Sequence, residues 1–193
     1  NYPSSHDPNP IRTTIQRKIM TRQEKQRIIN AKVKYYKAKY PSITAEQDSF
    51  EWYHKSDTNS NDFESCMVDY LKFEGHEAEK IKNKGTMVDN TKAVKDVLGR
   101  VSRIGSVDFI KGSGTNGTPD VHAHLAPFGT FWGIENKQKY KKGKDKQSEA
   151  QMKYEKKHLK VGAYYSLVSN MGEFFLEYDR VIEDIKNRIN NIK

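Results

Sequence analysis

Two carboxylates and an ammonium stand at a spacing that could do chemistry. Asp120 closes the run Gly117-Thr118-Pro119-Asp120, and fifteen residues later comes Glu135-Asn136-Lys137. Side chains alternate along a strand, so Glu135 and Lys137 share one face while Ile134 and Asn136 take the other. Asp120 opens a second strand-like run, 120–125, and the link 126–130 is short enough for a hairpin. Such a hairpin brings both carboxylates beside the lysine. Carboxylate oxygens suit a hard cation such as Mg²⁺ or Mn²⁺. A nearby lysine suits negative charge developing on a phosphoryl oxygen. Hydrolysis of a phosphodiester needs both.

Other patterns in the same region carry less. Gly112-Ser-Gly114-Thr-Asn-Gly117 matches a dinucleotide-binding fingerprint in letters, with Glu135 about twenty residues on. That fingerprint must open a helix leading to a second parallel strand. Pro119, Pro127 and Gly129 interrupt the interval, so no nucleotide cofactor is expected; the glycines read better as a place where backbone approaches a phosphate. His122 and His124 lack the further His or Cys partners of a zinc site, but His122 shares a face with Asp120, within reach of a substrate. Cys66 falls on an apolar stripe and reads as core, and His158 as surface.

Net charge points to a polyanionic partner. The 193 residues carry +9, and residues 10–40 hold ten Lys/Arg against Glu24 alone, so the rest of the chain is neutral. Within that remainder, residues 137–160 hold ten lysines against three acids. Two such patches are the electrostatic footprint of nucleic acid. Arg12, Arg17, Lys18, Arg22, Lys25, Arg27 and Lys32 in the first patch, and Lys139, Lys141, Lys142 and Lys144 in the second, are the candidate contacts. No apolar run reaches the roughly 20 residues of a membrane helix. The single Cys66 leaves no internal disulfide and suits a cytoplasmic rather than a secreted protein.

The elements that must position these residues divide at about residue 60. Residues 1–60 read as a basic, mainly helical extension. A long amphipathic helix is predicted over 13–39, with Ile15, Ile19, Ile29, Val33 and Tyr36 on one side and Pro41 as its stop. Thr44 and Gln47 resemble a capping box for a short helix carrying Phe50, Trp52 and Tyr53, and residues 54–61 read as a polar linker. Residues 61–193 read as an α/β unit. Asn61 or Asp62 caps a helix whose stripe is Phe63, Cys66, Met67, Tyr70 and Leu71, ended by Gly75. A strand over 78–82, a short helix over 92–98 and a strand over 106–110 precede the two motif strands. A helix over 146–159, strands over 163–169 and 174–176, and a last helix over 179–190 complete an α/β sandwich.

Taken together, Glu64 on a helix, the Gly-rich approach to Asp120, Ile134-Glu135-Asn136-Lys137, and Ser148-Glu-Ala-Gln151 on a following helix resemble the VRR-NUC nucleases of the PD-(D/E)XK superfamily. The resemblance covers roughly residues 60–180. It implies a restriction-endonuclease-like core, a mixed central sheet flanked by helices. It implies that Asp120, Glu135 and the backbone carbonyl of Asn136 hold Mg²⁺ or Mn²⁺, with Glu64 orienting the metal or a metal-bound water. Lys137 would stabilise the transition state or help deprotonate water, and Gln151 would touch the phosphate or the lysine. It implies a DNA endonuclease, in some relatives dimeric and selective for four-way junctions. The family usually has an apolar residue where Asn136 stands, which puts packing behind the strand in question. Two alternatives stay open: a nickase or sequence-preferring endonuclease of a phage or mobile element, and a non-catalytic DNA-binding module on a nuclease fold.

Overall fold

The computed structural model describes residues 19–42, 52–81, 85–110, 115–137 and 146–191. Its centre is a four-stranded mixed sheet in the order β1-β6-β7-β8. Strand β1 (Glu77–Lys80) pairs antiparallel with β6 (Val121–Leu125), which pairs antiparallel with β7 (Thr130–Asn136). Strand β8 (Tyr164–Val168) joins β7 in parallel, a pairing that needs a crossover such as a helix between the strands. The protein is thus mixed α/β, as expected, and the 126–130 link does close a hairpin.

Alternation along these strands sorts the sheet into two faces. Val121, Ala123, Leu125, Trp132 and Ile134 are fully buried on one of them. Helix α2 (Ser60–Phe73) covers that face with Phe63, Cys66, Met67, Tyr70 and Leu71, the predicted stripe. Its cap is Asn59, whose side chain accepts from the Asp62 backbone, rather than Asn61 or Asp62. Helix α4 (Met171–Asn190) packs beside α2 through Met171, Phe174, Phe175, Tyr178, Val181 and Ile185. Asp120, His122, Gly133 and Glu135 look the other way, toward α3 (Glu149–Leu159). The sheet therefore lies between helical layers.

Several sequence expectations need correction. The first helix, α1, spans Arg22–Lys39; residues 19–21 are not helical, because Thr21 and Glu24 close a capping box that starts the helix there. Residues 13–18 lie outside the described residues. The buried side of α1 is Ile28 and Ala31, with Ile29 half-buried, while Ile19 is exposed. These residues join the same core as α2 and α4. The short helix proposed around Thr44–Tyr53 falls largely outside the described residues, and Trp52 and Tyr53 are not helical. The stretch read as a linker is ordered around buried Asp57, which accepts from the Met20 backbone at one oxygen and the Met171 backbone at the other. Asp57 thus ties the entry of α1 to the first turn of α4, where the helix dipole favours a carboxylate. Phe174–Leu176 is no strand: Asn170 caps α4 and one helix runs through Gly172.

The region 86–110 departs most. Instead of a helix over 92–98 there are four short strands: β2 (Thr86–Asp89), β3 (Lys92–Lys95), β4 (Val101–Ile104) and β5 (Val107–Ile110). Strand β2 pairs with β5 and β3 with β4, antiparallel and in one continuous register. The turn at 96–100 uses Gly99 at φ +82°, and Asp96 accepts from the Leu98 and Arg100 backbones. Ala93, Val94, Val97 and Leu98 have helical spacing, but hydrogen bonds to residues 101–104 override it. Such non-local pairing is invisible to a local pattern.

Candidate active site

The Asp120, Glu135 and Lys137 side chains meet at one rim of the sheet. Val121 pairs with Ile134, so one step outward Asp120 stands beside Glu135. Asp120 Oδ2 accepts from the Asn136 backbone at 2.9 Å, which pins the carboxylate across the end of the hairpin. Lys137 Nζ lies 3.2 Å from Glu135 Oε1. It also donates to Gln151 Oε1 at 3.1 Å.

Gln151 connects the chemistry to the fold. As the third residue of α3 it completes a capping box with Ser148: its Oε1 accepts from the Ser148 backbone at 2.9 Å, and the Ser148 hydroxyl accepts from its backbone at 3.2 Å. The same amide turns its Nε2 to Glu135 Oε1. One side chain therefore fixes the start of α3, the carboxylate and the lysine together. Of the two roles expected for Gln151, the contact with the lysine is present. Tyr165, which sequence reading missed, adds a hydroxyl 3.4 Å from Glu135 Oε2. It faces Glu135 because β8 is parallel to β7 with Gly133 opposite Tyr165, a pairing no local signal announces.

Electrostatics mark Glu135 as unusual. Its residue surface is only 4% exposed. Burial, followed by the neighbouring Asp120 charge, pushes its carboxyl from 4.5 up to about 7, against the opposing pull of Lys137 and Tyr165. Two carboxylates forced together in low dielectric disfavour ionisation. A divalent cation between them reverses that penalty, so the donor set suits a hard metal that keeps several waters. Asp120, Glu135 and the Asn136 carbonyl would hold it.

Glu64 is placed differently. Its Oε1 accepts from Asn136 Nδ2 at 3.0 Å, and the same amide donates to the Ser60 carbonyl at 3.3 Å. Asn136 points to the α2 face, so Glu64 meets β7 from behind while Glu135 faces α3. A polar residue is accommodated at 136 because α2 presents acceptors there. Among the described residues no three His, Cys, Asp or Glu side chains gather as a metal cluster.

The remaining expected residues scatter. His122 lies on the Glu135 face, but its Nε2 is buried without a hydrogen-bond partner among the described residues. Burial pushes its imidazole below the ordinary value. Its ring packs edge-on to Phe131 and near Tyr154, which stacks on His158. Gly117 has φ +87°, and an added Cβ would lie 2.2 Å from the Ala150 carbonyl oxygen. The close backbone approach that requires glycine at 117 is thus to the first turn of α3. Gly112 and Gly114 lie outside the described residues.

Among the basic candidates, Arg27 is a correction. Its guanidinium grips the Asp179 carboxylate with two nitrogens, donates to the Tyr70 hydroxyl at 2.9 Å and lies 4.5 Å from the Phe175 ring centre. It clamps α1 to α2 and α4 instead of facing a phosphate. Lys32 donates to the Trp52 carbonyl at 2.7 Å, Arg22 is exposed and Lys25 is half-buried. Arg12, Arg17, Lys18, Lys139, Lys141, Lys142 and Lys144 lie outside the described residues.

Compared with family profiles, curated proteins and solved structures, the chain has no significant match in any of the three.

Proposed function

We propose that the protein is a divalent-metal-dependent endonuclease that hydrolyses phosphodiester bonds in DNA. The observation that carries this reading is the buried Glu135 carboxyl, raised to about 7 beside Asp120 and held against Lys137 by Gln151. A structural ion pair at that position would need only Glu135 and Lys137; the second carboxylate makes the arrangement costly without a further cation beside Lys137. The order of helix α2, antiparallel strands, helix α3 and parallel strand β8 is consistent with the mixed core that the PD-(D/E)XK resemblance implies.

The residues divide the work by position. Asp120 and Glu135, with the Asn136 carbonyl, would hold Mg²⁺ or Mn²⁺, which when bound would supply Lewis acidity toward the phosphoryl oxygens and the attacking water. Lys137, kept in place by Gln151, offers its ammonium to the charge that grows in the transition state. Glu64 acts from behind the strand as a positioning residue, fixing Asn136 through its side-chain amide. Tyr165 keeps Glu135 oriented.

The test is incubation with supercoiled plasmid and with a synthetic four-way junction in Mg²⁺, Mn²⁺, Ca²⁺ or EDTA, using wild type, Asp120→Asn and Glu135→Gln. Nicking or linearisation in Mg²⁺ or Mn²⁺ that EDTA and either substitution abolish is the expected result. Preferential junction cleavage would add structure selectivity. Equal cleavage by wild type and a folded Asp120→Asn/Glu135→Gln protein would overturn the assignment. Retained DNA binding with no cleavage in any metal would leave a binding module on this fold.

A further inference from the structure

The ribbon formed by β2 to β5 is the largest feature that the proposed chemistry leaves unused. Its strands form a two-stranded hairpin from Thr86 to Ile110, paired among the described residues with nothing but itself. None of its described side chains is buried. At about 3.3 Å per residue, the ten steps from Thr86 to Asp96 give it a reach of roughly 33 Å. Isolated two-stranded hairpins are marginal in water, and both their edges are open. Of the 18 exposed large apolar side chains among the described residues, 9 lie on this ribbon. A surface of that kind is covered in use.

Charge identifies the cover. Residues 82–111 contain seven Lys/Arg and three Asp. All three acids are occupied within the ribbon: Asp89 accepts from Thr91, Asp96 from the turn backbone, and Asp108 from Asn90 and Ser106. Lys92, Lys95, Arg100 and Arg103, all in the outer half, make no side-chain hydrogen bond or ion pair among the described residues and are exposed. The ribbon thus satisfies its negative charge internally and presents its positive charge outward. At the tip, Val97 and Leu98 are 103% and 74% exposed.

The root of the ribbon completes the argument. It is inserted between β1 and β6, and the Ile81 backbone donates to the Asp120 carbonyl at 2.8 Å where those strands meet. That is the rim bearing Asp120, Glu135 and Lys137. A two-stranded ribbon fits the major groove, about 12 Å wide, and a reach of roughly 33 Å approaches one turn of duplex.

We propose that the ribbon 86–110 is an arm that grips duplex DNA beside the catalytic rim, with Lys92, Lys95, Arg100 and Arg103 on phosphates and Val97-Leu98 entering a groove. The proposal rests on duplex DNA being the substrate of the rim, but its test reads binding alone. Fluorescence anisotropy of a labelled 30-base-pair duplex, titrated with salt in Ca²⁺, compares wild type with two variants. One replaces Lys92, Lys95, Arg100 and Arg103 by Gln; the other is Val97→Ser/Leu98→Ser. Each lost phosphate contact lowers the log–log salt slope by about 0.9. The four-fold variant should lose about 3.6 units of slope and at least tenfold in affinity at low salt. The tip variant should lose affinity with its slope unchanged. Circular dichroism checks that both variants fold.

Unchanged affinity and slope in the four-fold variant would overturn the arm, whatever the protein cleaves. So would a wild type that light scattering finds dimeric and the tip variant monomeric with wild-type DNA binding, because the ribbon would then cover a second copy of the chain. A reduced slope together with no cleavage in any metal would support the arm and sink the nuclease reading alone.

Discussion

Glu135→Gln offers the most direct reading of the site, because it can be measured without substrate. The Glu135 carboxyl ordinarily titrates near 4.5 and is pushed up to about 7 in the folded protein, chiefly by burial and then by Asp120. The folded state therefore holds this proton more tightly than the unfolded chain does. Its stabilising effect is fully present below pH 4.5 and is lost as the pH rises through 7. The displacement corresponds to about 3 kcal/mol across that window. With a urea slope of about 2 kcal/mol per molar, the wild-type midpoint should fall by about 1.5 M between pH 4.5 and 8 on this account. His76 and His122 work in the opposite sense, since burial lowers both and charging them at acid pH costs stability. The difference between wild type and Glu135→Gln cancels that background. Urea titrations of both proteins at pH 5, 6, 7 and 8 in EDTA provide the measurement. Glutamine cannot titrate, so the variant should gain on wild type steadily as the pH rises, by an amount approaching 3 kcal/mol at pH 8. Adding Mg²⁺ at pH 8 should recover stability in wild type alone, by mass action on the charged pair. Parallel pH profiles for the two proteins would refute the strained-carboxylate argument.

Other substitutions separate chemistry from architecture. Lys137→Ala should lower the cleavage rate by about a hundredfold or more with little loss of DNA affinity, whereas Lys142→Ala should weaken binding and leave turnover on saturating DNA unchanged; equal kinetic effects would show that Lys137 only binds. Arg27→Ala should lower unfolding stability by about 1–2 kcal/mol, from the lost ion pair and ring contacts, without changing the salt slope of DNA binding. A slope reduced by about one would return Arg27 to the phosphate contacts. Asp57→Ala leaves the Met20 and Met171 backbone donors buried and unpaired, and should cost about 3 kcal/mol in chemical denaturation. A loss under 0.5 kcal/mol would show that water replaces the carboxylate.

Sequence alone determined whatever depends on neighbours a few residues away. The stripe Phe63, Cys66, Met67, Tyr70 and Leu71 repeats at the helical period, and one face of α2 has to bury it. Strand alternation and a short link were sufficient to bring Asp120, Glu135 and Lys137 together, because the hairpin joining them is local. The Ser148–Gln151 capping box is equally local, yet a helix was expected from residue 146, and the box starts it at Glu149 instead. Tertiary structure decided the rest, since it turns on partners far along the chain. Arg27 looked like any other cation in a basic run until Asp179, 152 residues away, claimed it. Asp57 looked like linker because its partners, Met20 and Met171, are 37 and 114 residues distant. Residues 92–98 have helical spacing, and only their register with residues 101–104 made them strand. Glu64 could be placed on α2 from sequence, but which face of β7 that helix would cover could not. Burial and non-local hydrogen bonding choose among the alternatives that local periodicity permits, and neither is set until the chain has folded.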